Sequence, residues 1–127
     1  ISRFAQCLLE HRPPTIHGDG TQTRDFTYVR NVVDGTLRAC LAPRAAGQVI
    51  NVSCGSRISL NTLYRMMSDQ SGSDLDPVYT DPRVGDVRDS QADITRAREL
   101  LDYEPTVFLE EGIQRTLAWY RTQRAPA

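Results

Sequence analysis

The chain has 127 residues, 39% of them hydrophobic and 24% charged, with a formal net charge of −1 at pH 7. That composition suits one soluble globular domain with its own core, and it excludes the low-hydrophobicity, high-charge regime of disorder. The near-neutral balance argues against a surface built for nucleic acid or an anionic membrane, and no stretch approaches the roughly 18 apolar residues that span a bilayer.

Residues 1–11 place Ile1, Phe4, Leu8 and Leu9 at helical spacing, and Pro13-Pro14 ends that helix. Thr15-Ile16-His17 reads as a short extended piece, and Gly18-Asp19-Gly20 as a turn in which glycine permits positive φ. Residues 24–29 alternate like a short strand. Val29, Val32, Val33, Leu37, Cys40 and Leu41 then recur at helical spacing, with Asn31 as N-cap and Pro43 as terminator. Residues 48–53 are apolar and β-branched, a buried strand that ends at Cys54-Gly55. Ser59 caps a helix carrying Leu60, Leu63, Tyr64 and Met67, Ser71-Gly72-Ser73 is a loop, and residues 77–80 form a further strand. Asp93 caps a short helix through Leu101. The last helix runs from Leu109 to about Thr122. Leu109, Ile113, Leu117 and Tyr120 share one of its faces, and Glu110 and Glu111 lie where carboxylates complement the helix dipole. The tail from Arg124 to Ala127 is expected to fray.

Helices and short strands alternate, but the strands are too few for a full doubly wound sheet. The helix over 31–41 and the strand over 48–53 are both strongly apolar. Standing alone, the chain exposes some of that surface or offers it to a partner. It starts at Ile1 and runs straight into an amphipathic pattern, so it reads as cut from something longer or numbered after a removed start. No signal peptide is expected, and the expected location is cytoplasmic.

Cys7, Cys40 and Cys54 are odd in number and lack CxxC spacing, so neither a disulfide framework nor a zinc site is expected. Cys7 and Cys40 fall on apolar helix faces and read as core residues. The chain has no lysine; its 15 Lys+Arg positions are all arginine. A Tyr–Lys proton-transfer pair therefore cannot form within it. His17 has no Ser or Cys nucleophile motif beside it and reads as a packing or base-edge contact; His11 reads as a surface residue at a helix end. Arginines near Asp86 and Asp89 keep both ionised, which argues against an acid/base pair.

Three arginines carry the chemistry. Arg24 alone reads equally as a partner of Asp25 or another carboxylate, and Arg83 and Arg88 as partners of Asp81, Asp86 or Asp89. Taken with Asn51 at a strand end before Gly55, they share one economical use. They can hold two phosphates and a ribose at the carboxyl ends of strands, since each guanidinium is a planar fork of donors.

The run TIHGDGTQTRDFTYV over 15–29 resembles the substrate side of the extended short-chain dehydrogenase/reductase family. That family comprises NAD-dependent sugar-nucleotide epimerases, dehydratases and decarboxylases. Val32 to Gly35, Ile50-Asn51-Val52, Ser59-Leu60-Asn61, the segment from Arg83 to Asp93, Tyr103 with Pro105, and Leu109 to Ile113 follow in the family's order. The resemblance covers nearly the whole chain. Ser59 to Leu63 and Gly85 to Ile94 look most like UDP-N-acetylhexosamine 4-epimerases.

The resemblance implies an α/β fold that is partial: the C-terminal part of an extended Rossmann-type epimerase, with helices around a few short strands. Residues 1–127 would be its nucleotide-sugar binding portion. Arg24 and Arg83 would grip the diphosphate of a UDP-sugar, assisted by Arg88 and Asn51, and Asp86 would accept from the ribose hydroxyls. Thr15, Ile16 and His17 would lie along the base, with Phe4 close by. No catalytic residue, metal or cofactor site is expected in this chain. NAD is expected for the full-length parent, whose glycine-rich turn, Ser/Thr relay and Tyr–Lys pair belong to an N-terminal half. There the Tyr takes a proton while NAD accepts hydride, and this chain would anchor the nucleotide. Three positions depart from the family: His17 replaces a common Tyr or Phe, Asp102 a glycine, and Phe108 a small hydroxyl cap. The other reading is a truncated interaction or oligomerisation module without activity, self-associating through 31–41 and 48–53. The expected partners are thus a UDP-sugar and either a second copy or a missing cofactor-binding half.

Overall fold

The computed structural model describes residues 1–123. Their elements are, in order, α1 (Ser2–Leu9), β1 (Thr15–His17), β2 (Thr23–Arg24), α2 (Val29–Leu41), β3 (Ile58–Ser59), α3 (Leu60–Ser71), β4 (Val78–Thr80), α4 (Thr95–Leu101) and α5 (Leu109–Thr122). This is the expected α/β arrangement of helices around a few short strands. The tail expected to fray lies outside the described residues. No helix among the described residues is long and apolar enough to cross a membrane.

The main core follows from helical spacing. Phe4, Ala5 and Leu8 of α1, Leu63, Tyr64 and Met67 of α3, and Ile113 and Leu117 of α5 close around Ile16 of β1. Phe4 and Tyr64 meet edge to face with ring centroids 5.6 Å apart. Each fully buried Leu-sized side chain contributes about 1.5–3 kcal/mol, so this cluster holds the surrounding elements in place. The ends of α3 obey the sequence. Ser59 Oγ accepts from the Thr62 backbone N–H at 3.1 Å, and Gly72 closes the helix at φ 72°.

Ile16 brings β1 beneath the helices, and β1 pairs in parallel with β4 in the register Thr15↔Val78, His17↔Thr80. β2 pairs antiparallel with β3, and Thr23 also bridges Asp89. The carboxyl ends of β1 and β4 therefore finish side by side. The chain leaves them through the Gly18–Gly20 turn and the 81–90 loop.

A second cluster joins Ile94, Ala97, Leu101 and Tyr103 to Ala39, Ala42, Ile50 and Val52. Polar ties fasten it. Tyr103 donates its hydroxyl to Ser53 O at 3.0 Å. Asn31 Nδ2 donates to Val107 O at 2.7 Å, and its Oδ1 accepts from the N–H groups of Val107 at 3.0 Å and Thr106 at 3.1 Å.

Several expectations are corrected. Pairing over 24–29 stops at Arg24. Asp25 serves the next loop instead, accepting from the N–H groups of Gly55 at 3.0 Å and Ala92 at 3.3 Å. Asn31 is no cap: α2 starts at Val29, the N-cap position is Tyr28, and Asn31 is buried inside the helix. Residues 48–53 form no strand among the described residues, and Val49 is 82% exposed. The α2 stripe faces outward, with Val29, Leu37 and Leu41 all exposed. Cys40 is exposed and Cys7 half-buried, so neither is a core residue. Asp93 is not the cap of α4: the N-cap position is Ile94, without a side-chain cap bond. Asp93 Oδ1 accepts from Thr95 N at 2.9 Å, and hydrogen bonds from the Thr95 side chain and N–H hold its carboxyl below the usual range.

Candidate functional site

A cleft opens where β1 and β4 end. Gly18 and Gly20 turn the chain there at φ 77° and 74°, a left-handed conformation that costs glycine nothing. Gly20 has a second reason to lack a side chain, because a Cβ would stand 1.9 Å from Asn61 Oδ1. Asn61 clamps the turn. Its N–H donates to Gly20 O at 3.0 Å, its Nδ2 to Asp19 O at 2.9 Å, and its Oδ1 accepts from the Tyr79 hydroxyl at 3.0 Å. Asp19 accepts from the Thr21 hydroxyl at 2.7 Å and the Thr21 N–H at 2.9 Å. Those bonds hold its carboxyl below the usual range, with a smaller contribution from the charge of Arg88. Gln22 is buried and donates to His17 O at 2.6 Å, tying the end of β1 to the start of β2.

The charged residues reach this point from far apart in sequence. Arg24 Nη2 lies 2.5 Å from Asp86 Oδ1, a partner 62 residues away, and its Nη1 donates to Thr23 O at 2.7 Å. The carboxylate that holds Arg24 is thus Asp86 rather than the adjacent Asp25. Arg83 Nη2 stands 2.9 Å from His17 Nε2, across 66 residues. Arg88 O accepts from Thr23 N at 2.8 Å, which docks the 81–90 loop on β2. Thr23 Oγ1 donates to Asp89 Oδ1 at 2.6 Å, close to Arg57 at 3.7 Å.

The cleft has a volume of about 290 Å³, and His17, Asp19, Gln22, Arg83, Asp86 and Arg88 are among its walls. It continues into a space of about 370 Å³ walled by Phe4, Thr15, Ile16, Leu60 and Leu63, with His17, Gln22, Arg83 and Asp86 common to both. Eight of the nominated residues therefore converge: Phe4, Thr15, Ile16, His17, Arg83, Asp86 and Arg88 line the two spaces, and Arg24 joins through Asp86. Asn51 does not. Its Nδ2 donates to Asp93 O at 3.2 Å, toward the second cluster. Gln22, Asp19 and Asn61 were not foreseen as site residues. Gln22 and Asp19 sit inside the 15–29 run, but their work depends on His17, Thr21 and Asn61 and carried no sequence signal of its own.

Chemically, the cleft sets guanidiniums beside an apolar extension floored by Phe4, Leu60 and Leu63. That combination suits an anion carrying a flat or apolar body. The described residues include no group of three or more His, Cys, Asp or Glu able to hold a metal ion. Among the described residues there is no glycine-rich strand-to-helix turn of the kind that seats a dinucleotide pyrophosphate.

The profile of the GDP-mannose 4,6-dehydratase family matches residues 1–116. A UDP-glucose 4-epimerase of Mycolicibacterium smegmatis is 39% identical over 123 residues, which are 97% of this chain and 39% of that protein. The crystal structure of a Thermotoga maritima UDP-glucose 4-epimerase with UDP-glucose superposes with a TM-score of 0.90 at 38% identity, covering 94% of this chain and 38% of that one. A Bacillus cereus UDP-glucuronic acid 4-epimerase in complex with UDP-glucuronic acid and NAD gives 0.90 at 34% identity, covering 95% and 39%. Fold and sequence together match one part of extended Rossmann-type epimerases. The chain belongs to the GDP-mannose 4,6-dehydratase family. It spans about 39% of the length of the curated relative from Mycolicibacterium smegmatis.

Proposed function

We propose that this chain forms the nucleotide-sugar grip of an NAD-dependent UDP-sugar epimerase-type enzyme. Arg24 and Arg83 hold the diphosphate, Arg88 adds charge at the rim, Asp86 faces the ribose, and Thr15, Ile16, His17 and Phe4 line the base. One observation carries the reading: His17, Arg83, Asp86 and Arg88 converge on a single cleft at the carboxyl ends of two parallel strands. Ligands of open α/β sheets bind at such strand ends. The relatives named as UDP-sugar epimerases support the ligand class. The whole of residues 1–127 acts as this binding portion, with Asn51 left out of the grip.

Hydride transfer in that enzyme class is the chemistry that NAD supplies when bound. The chain's own work is to bind and orient. Its exposed α2 stripe supports a face that is covered in the working enzyme, by the cofactor-binding part or by a second copy.

Calorimetry with UDP-glucose tests the reading. Binding is expected, and Arg83→Ala and Arg24→Ala each weaken it by about 1.5–3 kcal/mol, the worth of a hydrogen bond to a charged group. A folded chain that takes up no UDP-glucose sinks the proposal.

A further inference from the structure

The His17 imidazole has a neighbour on each nitrogen. Thr80 Oγ1 lies 3.0 Å from Nδ1, and Arg83 Nη2 lies 2.9 Å from Nε2. A guanidinium can only donate, so Nε2 is the acceptor. The ring's single proton then sits on Nδ1 and goes to the Thr80 hydroxyl. The two contacts together fix one tautomer of the ring. Thr80 is its β-sheet register partner, so the strand pairing itself sets the ring's position.

We infer that His17 is the positioning residue of the grip. Neutral, it holds one N–H of Arg83 and leaves the remaining donors of the fork for a diphosphate. Protonated, it would set a second cation 2.9 Å from the guanidinium and release it. The inference rests on the nucleotide-sugar reading above. The charged groups facing His17 are Arg83, Asp86 and Arg88 of the 81–90 loop, Asp19 of the glycine turn, and Arg3 and the Ile1 amino group beside α1. Asp19 is engaged by Thr21 and Asp86 by Arg24. A Tyr or Phe here could line a base, but neither carries a ring nitrogen that accepts from Arg83 and loses that capacity on protonation.

The test is UDP-glucose affinity of the full chain from about pH 8 to about pH 5.5, a range that spans imidazole titration. The ligand's diphosphate is a diester and does not ionise there. Wild-type affinity is expected to fall several-fold on acidification, because a protonated ring cannot accept from Arg83. In His17→Gln the amide oxygen accepts from Arg83 without titrating, so affinity should hold within about twofold across the range. That variant also subtracts any contribution of the Ile1 amino group. Affinity that rises on acidification, or an equal slope in His17→Gln, overturns the positioning role. No binding at any pH overturns the nucleotide-sugar reading itself. A second measurement needs neither ligand nor variant. The ¹⁵N shifts of His17 at neutral pH should report the Nδ1–H tautomer, and an Nε2–H tautomer overturns the inference.

Discussion

Helix α3 turns its apolar residues inward: Leu63 and Met67 are fully buried, wedged between α1 and α5. Helix α2 has an equally regular stripe, yet Val29, Leu37 and Leu41 are 62%, 60% and 84% exposed. What α2 buries is an amide and a glycine, Asn31 and Gly35. Gly35 is held to zero side chain by its neighbour, since a Cβ would come 2.5 Å from Val52 Cγ1. One side of the molecule is thus closed by hydrophobic packing. The other is fastened by hydrogen bonds and close approach, with its apolar face left toward solvent. Amphipathy foretells a helix; it does not foretell what covers the helix, and large exposed apolar faces mark places where something docks.

The sharpest way to break this contrast is truncation on each side. Leu63→Ala should cost about 2–5 kcal/mol in chemical denaturation, as buried Leu truncations do. Leu37→Ala should stay within about 0.5 kcal/mol in the chain alone. Comparable losses at both sites would mean that the α2 face is covered in solution. Asn31→Ala should follow, at about 1–3 kcal/mol, because it strands the buried N–H of Val107 and takes the acceptor from that of Thr106. Thermal unfolding would show whether the polar fastening carries that weight.

Tyr103 offers a pH test of the same side. Burial, above all, pushes its hydroxyl up to about 12, from an ordinary value of about 10. The fold favours the neutral phenol, so its contribution is complete below about pH 10 and fades as the pH climbs toward 12. Circular dichroism should show a steeper alkaline loss of structure in wild type than in Tyr103→Phe. The smallest expected effect is at Asp102, which ends α4 in the left-handed region at φ 51°. Asp102→Gly should raise the melting temperature, by a gain of about 0.5–1 kcal/mol, since glycine adopts that conformation freely.

Much of the fold was legible where one residue has one local job. Ser59 capped α3, and Gly18-Asp19-Gly20 made the turn after β1; α1, by contrast, closes at Glu10 and a left-handed His11, ahead of Pro13-Pro14. Asp102 and Phe108 were foreseen as awkward helix ends, and both are: one is left-handed, and the other leaves α5 without a side-chain cap. Legibility failed where the partner is distant. The apolar run 48–53 has strand composition, but a strand is a pairing, and no ladder partner meets it among the described residues. Asn31 looks like a cap because Asn often is one, and its true work lies with Thr106 and Val107, about 75 residues away. The site shows the same division. The residue types were readable; that Arg24 would find Asp86 and Arg83 would find His17 was not.

The pairing of β1 with β4 has a consequence for how the chain folds. Its partners are 63 residues apart in sequence, and the strands are three residues long. Closing so long a loop costs entropy before a short ladder gives any return, so such contacts form late. The helices between them can nucleate earlier. His17 and Arg83 hang from the far ends of these two strands. The cleft is therefore among the last features to be made and the first to be undone, and ligand uptake in refolding should lag the recovery of helical signal.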